Sequence, residues 1–307
     1  MLRFFLLLAG FILLIIQQFI IPVSYTTQLF IFLLGIVVIG IPHGAADLLV
    51  AAKNEDSSSK PFSKLRFFIT YLGKLIIFGC IIRLAPLAGT TLFVLFSAYH
   101  FGETDLYFFK TDTLPGKLLV CSYGLVILSV ILTTNIREIT TLVRGVDASS
   151  SIHYAIVFIE KYKNAILSAS LLFFFASIFF YFTSIKLNEG ITDRFLLQFA
   201  ILVFILYSLP LVLGFTFYFI VWHSVLSLQN IITYLRKGNG TAYSTIIKQI
   251  LFFSIIALAG ILISCLTGSM FMGNQPVTIY VFAGLAVLTA PHMHIMHAMY
   301  NKFRSIK

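Results

Sequence analysis

Histidine is the residue type in this chain with the clearest capacity for chemistry. The sequence holds seven histidines. Six of them lie in long apolar stretches, at His43, His100, His223, His292, His294 and His297, and the seventh is His153. An ionisable side chain is costly to place among apolar residues, so each of the six is a candidate functional residue.

Four of the six histidines occupy matching places in their apolar stretches. They are His43, His100, His223 and His292, and each lies 12 to 16 residues after the predicted outer end of its stretch. Their stretches are the second, fourth, eighth and tenth of ten, so all four run in the same direction. The four distances from the outer ends differ by at most four residues, which corresponds to about 6 Å along a helix. The spacing therefore predicts that the four imidazoles converge, as facing side chains do in the metal sites of helix bundles.

An all-histidine cluster favours a bound transition metal. Imidazole suits zinc, copper, iron and nickel, and a site of this kind leaves coordination positions open for reactants. A structural zinc site more often includes cysteine. The three cysteines, Cys80, Cys121 and Cys265, lie far apart in apolar stretches and form no CxxC pair. The alternative for each histidine is a hydrogen bond to a neighbouring helix.

Two acidic residues close to the histidines are candidates for orienting them. Asp47 lies four residues after His43, on the same helical face. Its carboxylate is placed to accept the second ring N–H of a ligand histidine, which is a common role of carboxylates around metal sites. Glu103 lies three residues after His100 and is a candidate for the same role. Solvation at the cytoplasmic helix end is the alternative for Glu103.

Other polar residues of these stretches carry separate predictions. Trp222 is the only tryptophan and directly precedes one of the four histidines, at mid-membrane rather than at an interface. Asp105 is predicted to be solvated at a cytoplasmic helix end. His294 and His297 lie nearer the cytoplasm and are predicted to be interfacial. His153 lies in an outer connection and is not a predicted ligand.

The elements that position these residues must be membrane helices. Of the 307 residues, 59% are hydrophobic and only 10% are charged, against about 25% charged residues in soluble domains. The sequence therefore predicts an all-α, polytopic, multi-pass bundle in the cell membrane, with one transmembrane domain over residues 1–307. Ten apolar segments are long enough to span a bilayer. They are residues 2–21, 27–52, 65–85, 87–109, 116–134, 164–185, 194–209, 211–235, 246–267 and 277–300.

The distribution of positive charge predicts the orientation. With both termini in the cytoplasm, 15 Lys and Arg residues lie on the inner side and five on the outer side. This bias favours that orientation over its inverse. The outer connection at about 135–163 holds four of the five and is predicted to lie on the membrane surface. The net charge of +10 fits the same bias and forms no basic patch of the kind that nucleic-acid binding needs.

Four motifs around the histidines together resemble the Brp/Blh family of bacterial and archaeal membrane proteins. They are Pro42-His43-Gly44-Ala45-Ala46-Asp47, His100-Phe101-Gly102-Glu103-Thr104-Asp105, Trp222-His223-Ser224 and Pro291-His292-Met293. They follow in the family's order over nearly the whole chain. The resemblance implies an Fe(II)-dependent dioxygenase that uses O₂ to cleave β-carotene at its central 15,15′ double bond into two all-trans-retinal molecules.

The resemblance also carries ligands over to this chain, residue by residue. It implies that iron is held by His43, His100 and His223. His292 matches the family's Pro-His-Met motif and is the candidate for a fourth ligand. The family commonly has a further histidine four residues after the one in Trp-His, and this chain has Ser227 there. The residues predicted to surround the ligands are Asp47, Glu103, Trp222 and Ser227.

Alternatives from other functional classes remain open. One is a non-catalytic or altered-substrate carotenoid-binding paralogue, which the departure at Ser227 favours, or another membrane metalloenzyme. A desaturase would need HxxxH and HxxHH motifs, and the sequence contains neither. A transporter is less favoured, since Pro42 and Pro291 give only weak support for broken helices in repeated halves.

The dioxygenase hypothesis implies a specific set of partners. They are β-carotene or a related carotenoid, O₂ and the lipid bilayer, with no nucleic acid. The resemblance further implies a functional link to a microbial rhodopsin that consumes the retinal. Metal content separates the metalloenzyme hypotheses from the transporter.

Overall fold

Helices make up the structure, a computed structural model that describes residues 1–55, 61–142, 151–185, 189–237, 240–268 and 277–305. Where α-helical and π-helical turns follow one another without a loop, they form one continuous helix. Across the ranges given, the chain forms eleven helices and no strand. In chain order they are α1 Leu2–Ile20, α2 Tyr25–Glu55, α3 Lys64–Leu84, α4 Pro86–Asp105, α5 Leu114–Thr134, α6 Ile136–Leu142, α7 Ser151–Ser184, α8 Glu189–Ser208, α9 Leu211–Arg236, α10 Tyr243–Gly268 and α11 Val277–Ser305.

These helices confirm the predicted all-α polytopic bundle. Within the described ranges, seven of them are long and apolar enough to cross a membrane, namely α1, α2, α3, α5, α7, α9 and α10. The other three predicted segments are helical as well, as α4, α8 and α11. The number of ten crossings, the cytoplasmic position of both termini and the single-domain organisation remain predictions.

The described part of the connection predicted at about 135–163 is more helical than the sequence indicated. The short helix α6 lies within it, and α7 begins at Ser151, well before the apolar segment predicted from residue 164. A helix satisfies its own backbone hydrogen bonds whatever the polarity of its side chains. The exposed Glu160 and Lys161 therefore extend the helix beyond its apolar part rather than ending it.

The chain turns at Leu209 and Pro210, between the predicted segments 194–209 and 211–235. Pro210 has an extended conformation, with φ −63° and ψ 159°, and α9 begins at the next residue. The side chain of Glu138 in α6 caps α9, because its Oε2 accepts the backbone N–H of Leu211 at 3.1 Å. Burial raises the pKa of the Glu138 carboxyl, and the Leu211 N–H opposes that rise.

Two glycines allow α4 and α5 to cross in direct backbone contact. A Cβ atom at Gly102 would lie 1.9 Å from the Val120 carbonyl oxygen, and one at Gly124 would lie 1.8 Å from the Ala98 carbonyl oxygen. Small residues permit such close crossings in membrane bundles. The crossing fixes α4, which carries His100, against one of the most buried helices of the bundle.

Wide π-helical turns occur where two other histidines are placed. In α2 the π-helical turns of Ile36–Gly40 directly precede the segment Ile41–Ala45, which contains His43. In α9 the π-helical turns span Phe217–Ser224 and contain His223. Inserted π turns change the direction in which later side chains project, and they are frequent at functional sites. The two π regions pack against each other.

Replacing Gly124 with alanine is expected to destabilise the bundle, because the new Cβ meets the Ala98 carbonyl and α4 must move away from α5. Overpacking of this kind costs on the order of 1–3 kcal/mol. Thermal unfolding of the purified protein in detergent measures the loss. Gly73→Ala is the matched control, since a Cβ at Gly73 meets no atom within 4 Å. Equal melting temperatures for the two variants would contradict the close crossing.

Candidate metal centre

Three histidines from three helices meet in the interior of the bundle. One ring nitrogen each from His43, His100 and His223 lies within 4.8 Å of the other two. All three side chains are buried. The Nε2 atoms of His100 and His223 are 3.1 Å apart. The structure thus brings together residues that are up to 180 positions apart in the sequence.

His292 from α11 lies beside the other three histidines. The centre of its ring is 4.5 Å from that of His43 and 5.0 Å from that of His100. Its side chain is also buried. All four residues that the sequence spacing grouped together therefore lie around one point, although the set of mutually close nitrogens comprises only the first three.

The donor atoms of this cluster fit a metal ion. Two nitrogens bound at right angles to one ion, each at about 2.1 Å, lie about 3 Å apart, which matches the separation of His100 and His223. Among the described residues, four buried ring nitrogens have no hydrogen-bond partner: Nδ1 of His43, His100 and His223, and Nε2 of His292. Unpaired buried polar atoms are costly. Of these, Nε2 of His292 is available to a metal, whereas His100 and His223 face each other through Nε2, so their unpaired Nδ1 atoms are the other nitrogens of the two rings.

Asp47 orients His292 rather than His43. Its Oδ1 lies 2.7 Å from Nδ1 of His292, so the carboxylate holds that nitrogen and leaves Nε2 of the ring for another partner. The second carboxylate oxygen accepts the hydroxyl of Tyr71 at 3.1 Å. This is the arrangement in which a carboxylate sets the tautomer and direction of a metal-binding histidine. The role for Tyr71 was not predicted, because a tyrosine in an apolar helix carries no distinctive sequence signal.

Glu103 is fully buried, which excludes the solvated alternative. Its Oε1 lies 2.9 Å from Nδ1 of His297 and 3.3 Å from a guanidinium nitrogen of Arg304. Its partner is therefore His297 of α11, not His100 of its own helix. The side chain of His297 is 41% exposed, and its interfacial position remains a prediction. A cavity of about 600 Å³ opens beside this group and is lined in part by His297, Arg304 and Tyr99.

The prediction that Asp105 is solvated is wrong. Its side chain is fully buried, and the indole N–H of Trp222 donates to its Oδ2 at 2.8 Å. The sequence placed Asp105 at a helix end and suggested water as its partner. The actual partners come from other helices, and one sequence cannot show which helices pack around a given helix end.

Ser227 lies one turn after His223 and is fully buried. Its neighbour is the hydroxyl of Tyr300, which also contacts Thr104 and accepts a hydrogen bond from Asn230 at 3.3 Å. Ser227 is therefore part of a small polar group next to the histidine cluster. His294 and His153 are exposed and lie outside the cluster.

The fold and this site define a class of protein: a polytopic membrane bundle with a buried histidine cluster able to hold a metal. The family model for beta-carotene 15,15′-dioxygenase matches residues 34–300, which is most of the chain and includes all four histidines. The chain therefore belongs to the beta-carotene 15,15′-dioxygenase family. No curated protein and no solved structure matches the chain.

Asp47→Asn is expected to weaken metal binding about 10- to 100-fold, the usual effect of losing an outer carboxylate behind a ligand histidine. Asparagine keeps the size of the side chain but not its charge. Titration of the purified protein with Co(II) measures the affinity. Glu55→Gln is the matched control, because Glu55 is an exposed acid on the same helix. An unchanged affinity in Asp47→Asn would exclude a role of the Asp47 carboxylate in metal binding.

Proposed function

We propose that this protein is a membrane dioxygenase that uses Fe(II) and O₂ to cleave β-carotene at its central 15,15′ double bond. Each half of the substrate becomes one molecule of all-trans-retinal, so the two atoms of O₂ are both accounted for in the two aldehydes. The observation that carries the proposal is the buried cluster of His43, His100 and His223 in a chain of the beta-carotene 15,15′-dioxygenase family.

The histidines supply the ligands in this proposal. His43, His100 and His223 would hold the iron, and His292 would be a fourth ligand through the nitrogen that Asp47 leaves unpaired. When bound there, Fe(II) supplies the activation of O₂ that scission of a carbon–carbon double bond requires. Three or four histidines leave coordination positions open for that purpose.

The protein environment of the cluster suits a hydrocarbon substrate. Aromatic rings surround His223: the centre of the Phe101 ring is 4.7 Å away, and those of Phe219 and Tyr218 are 6.2 and 6.4 Å away. A polyene has no polar group for the protein to recognise, so aromatic contacts and the shape of the site must position it. Burial of the histidines keeps water from the reacting atoms.

The bilayer is the source of the substrate and the destination of the product. β-Carotene dissolves in lipid, and the described helices expose many large apolar side chains. We place the protein in the cell membrane, where a retinal-binding protein such as a microbial rhodopsin would consume the product.

Ser227 favours one second candidate, a paralogue that binds carotenoid without cleaving it or that cleaves another carotenoid. A serine stands where the family commonly has a further histidine, and its hydroxyl lies beside Tyr300. In the cleavage proposal, His292 takes the place of that histidine in the ligand set. Product analysis separates the two candidates.

Expression of the chain in a bacterium that accumulates β-carotene, with added iron, is expected to yield retinal. Chromatography of the extract measures retinal together with loss of the pigment. Retinal without longer apocarotenals would support central cleavage. Intact β-carotene, with the folded protein verified in the membrane, would contradict the cleavage proposal and favour the paralogue.

Alanine at His43, His100 or His223 is expected to abolish both bound iron and retinal formation, because only two nitrogens of the mutually close set then remain and His292 lies outside that set. Metal analysis of the purified variants and the chromatographic assay measure the two effects. His153→Ala is the matched control, since His153 is exposed and distant from the cluster. Full activity in any one of the three variants would remove that residue from the site.

Ser227→His is expected to preserve or raise the iron content, because the imidazole enters a buried position one turn from His223. Ser227→Leu is the control for the added volume, as leucine brings comparable bulk without a nitrogen. The measurement is the amount of iron bound per protein molecule in the two purified variants. Less iron in Ser227→His than in Ser227→Leu, with both folded, would contradict this placement.

A further inference from the structure

We propose that Asp105, held in place by Arg3 of the first helix, is the positioning residue that sets the spacing of His100 and His223. The inference deepens the proposed function, because it concerns the support of the same metal centre. It rests on a hydrogen-bonded group that joins four helices directly next to the histidine cluster. Nothing in the family's motifs points to Arg3, which lies outside the matched residues 34–300.

Three donors converge on one oxygen of Asp105. Its Oδ2 accepts the indole N–H of Trp222 at 2.8 Å and the hydroxyls of Tyr123 and Tyr218 at 2.8 and 3.2 Å. All four side chains are buried, with at most 2% of any residue exposed. Three hydrogen bonds to one acceptor therefore join α4, α5 and α9 at this point.

The same bonds connect the chain segments that carry two histidines. Asp105 follows His100 by five residues on α4, and Trp222 directly precedes His223 on α9. A closed path therefore runs from His100 along α4 to Asp105, across to Trp222, and through the next residue to His223. The path is closed by the 3.1 Å contact between the two Nε2 atoms. Loss of the Asp105–Trp222 bond breaks the link between α4 and α9 on this side of the path.

Arg3 completes the group from α1. A guanidinium nitrogen of Arg3 donates to the backbone carbonyl of Asp105. The guanidinium carbon lies 4.9 Å from the centre of the Phe108 ring and 5.8 Å from that of Trp222. The positive charge of Arg3 also acts favourably on the Asp105 side chain. Arg3 thus contacts the backbone of Asp105 and the indole that donates to the Asp105 side chain.

The position of α1 is fixed by a second close contact. A Cβ atom at Gly10 would lie 2.4 Å from the ring of Phe217, so the two helices approach closely at the start of the π-helical turns of α9. Phe217 is buried and begins the segment that ends just after His223. Gly10 and Arg3 both belong to α1, so their contacts with Phe217 and Trp222 support α9 from the side that faces α1.

The test measures two quantities: the fluorescence emission of the single tryptophan, Trp222, and the affinity of the protein for Co(II) as a metal probe. Asp105→Ala removes the acceptor, so the emission of Trp222 in the metal-free protein is expected to shift, and the affinity for Co(II) is expected to fall about 10-fold or more, the range seen for outer support residues of metal sites. Asp105→Asn keeps one oxygen as an acceptor, so its affinity for Co(II) is expected to fall less than that of Asp105→Ala. Both measurements use the purified full chain in detergent.

The variants of Arg3 separate a positioning role from a general effect of charge. Arg3→Gln is expected to shift the Trp222 emission and weaken Co(II) binding, while Arg3→Lys, which keeps a cation and a donor, recovers part of the loss. Asp112→Asn and Arg66→Gln are matched controls, because both residues are exposed. These two controls are expected to leave emission and affinity unchanged.

The outcomes distinguish this inference from the proposed function. Wild-type emission and Co(II) affinity in Asp105→Ala would overturn the positioning role, whether or not the protein makes retinal. Normal Co(II) binding by the wild type without retinal formation would overturn the proposed function alone. If Asp105→Ala does not fold, Tyr218→Phe removes a single donor and keeps the ring, and an unchanged affinity and emission in that variant would equally count against the inference.

Discussion

The structure depends on one constraint: a polar atom inside an apolar bundle must have a partner within the protein, because lipid offers none. Apolar side chains pack against lipid nearly as well as against one another, so they locate helices only weakly. The buried carboxylates locate them specifically. Asp47 joins α2 to α11, Glu103 joins α4 to α11, and Asp105 joins α4 to α5 and α9.

The histidine cluster is one place where this constraint is not met by the protein. Four buried ring nitrogens there have no partner among the described residues, and other buried polar atoms, such as Oδ1 of Asp105 and Oε2 of Glu103, lack one as well. The cluster differs from these because its unpaired nitrogens belong to four histidines that meet around one point, and imidazoles grouped in this way suit a transition metal. The helices around it are held by bonds on the outside of the cluster, so the nitrogens keep their positions without bonding to one another, apart from the single contact between His100 and His223.

The sequence predicted the helices and the convergence of the histidines because both follow from patterns along one chain. Long apolar stretches predict membrane-spanning helices. The similar depth of His43, His100, His223 and His292 within their stretches predicts that these four residues lie together. Partners across helices could not be predicted in the same way. Whether Asp105 meets water or Trp222 depends on which helices are neighbours, and that arrangement arises from backbone approaches such as the one at Gly124.

The pairing of Asp47 with His292 joins residues 245 positions apart, near opposite ends of the chain. The ribosome therefore completes the carboxylate side of the site long before the imidazole that it holds. Until α11 has been synthesised and inserted, Asp47 lacks the imidazole that it holds in the folded protein. A chain that stalls before α11 therefore carries His43, His100 and His223 but cannot complete the site.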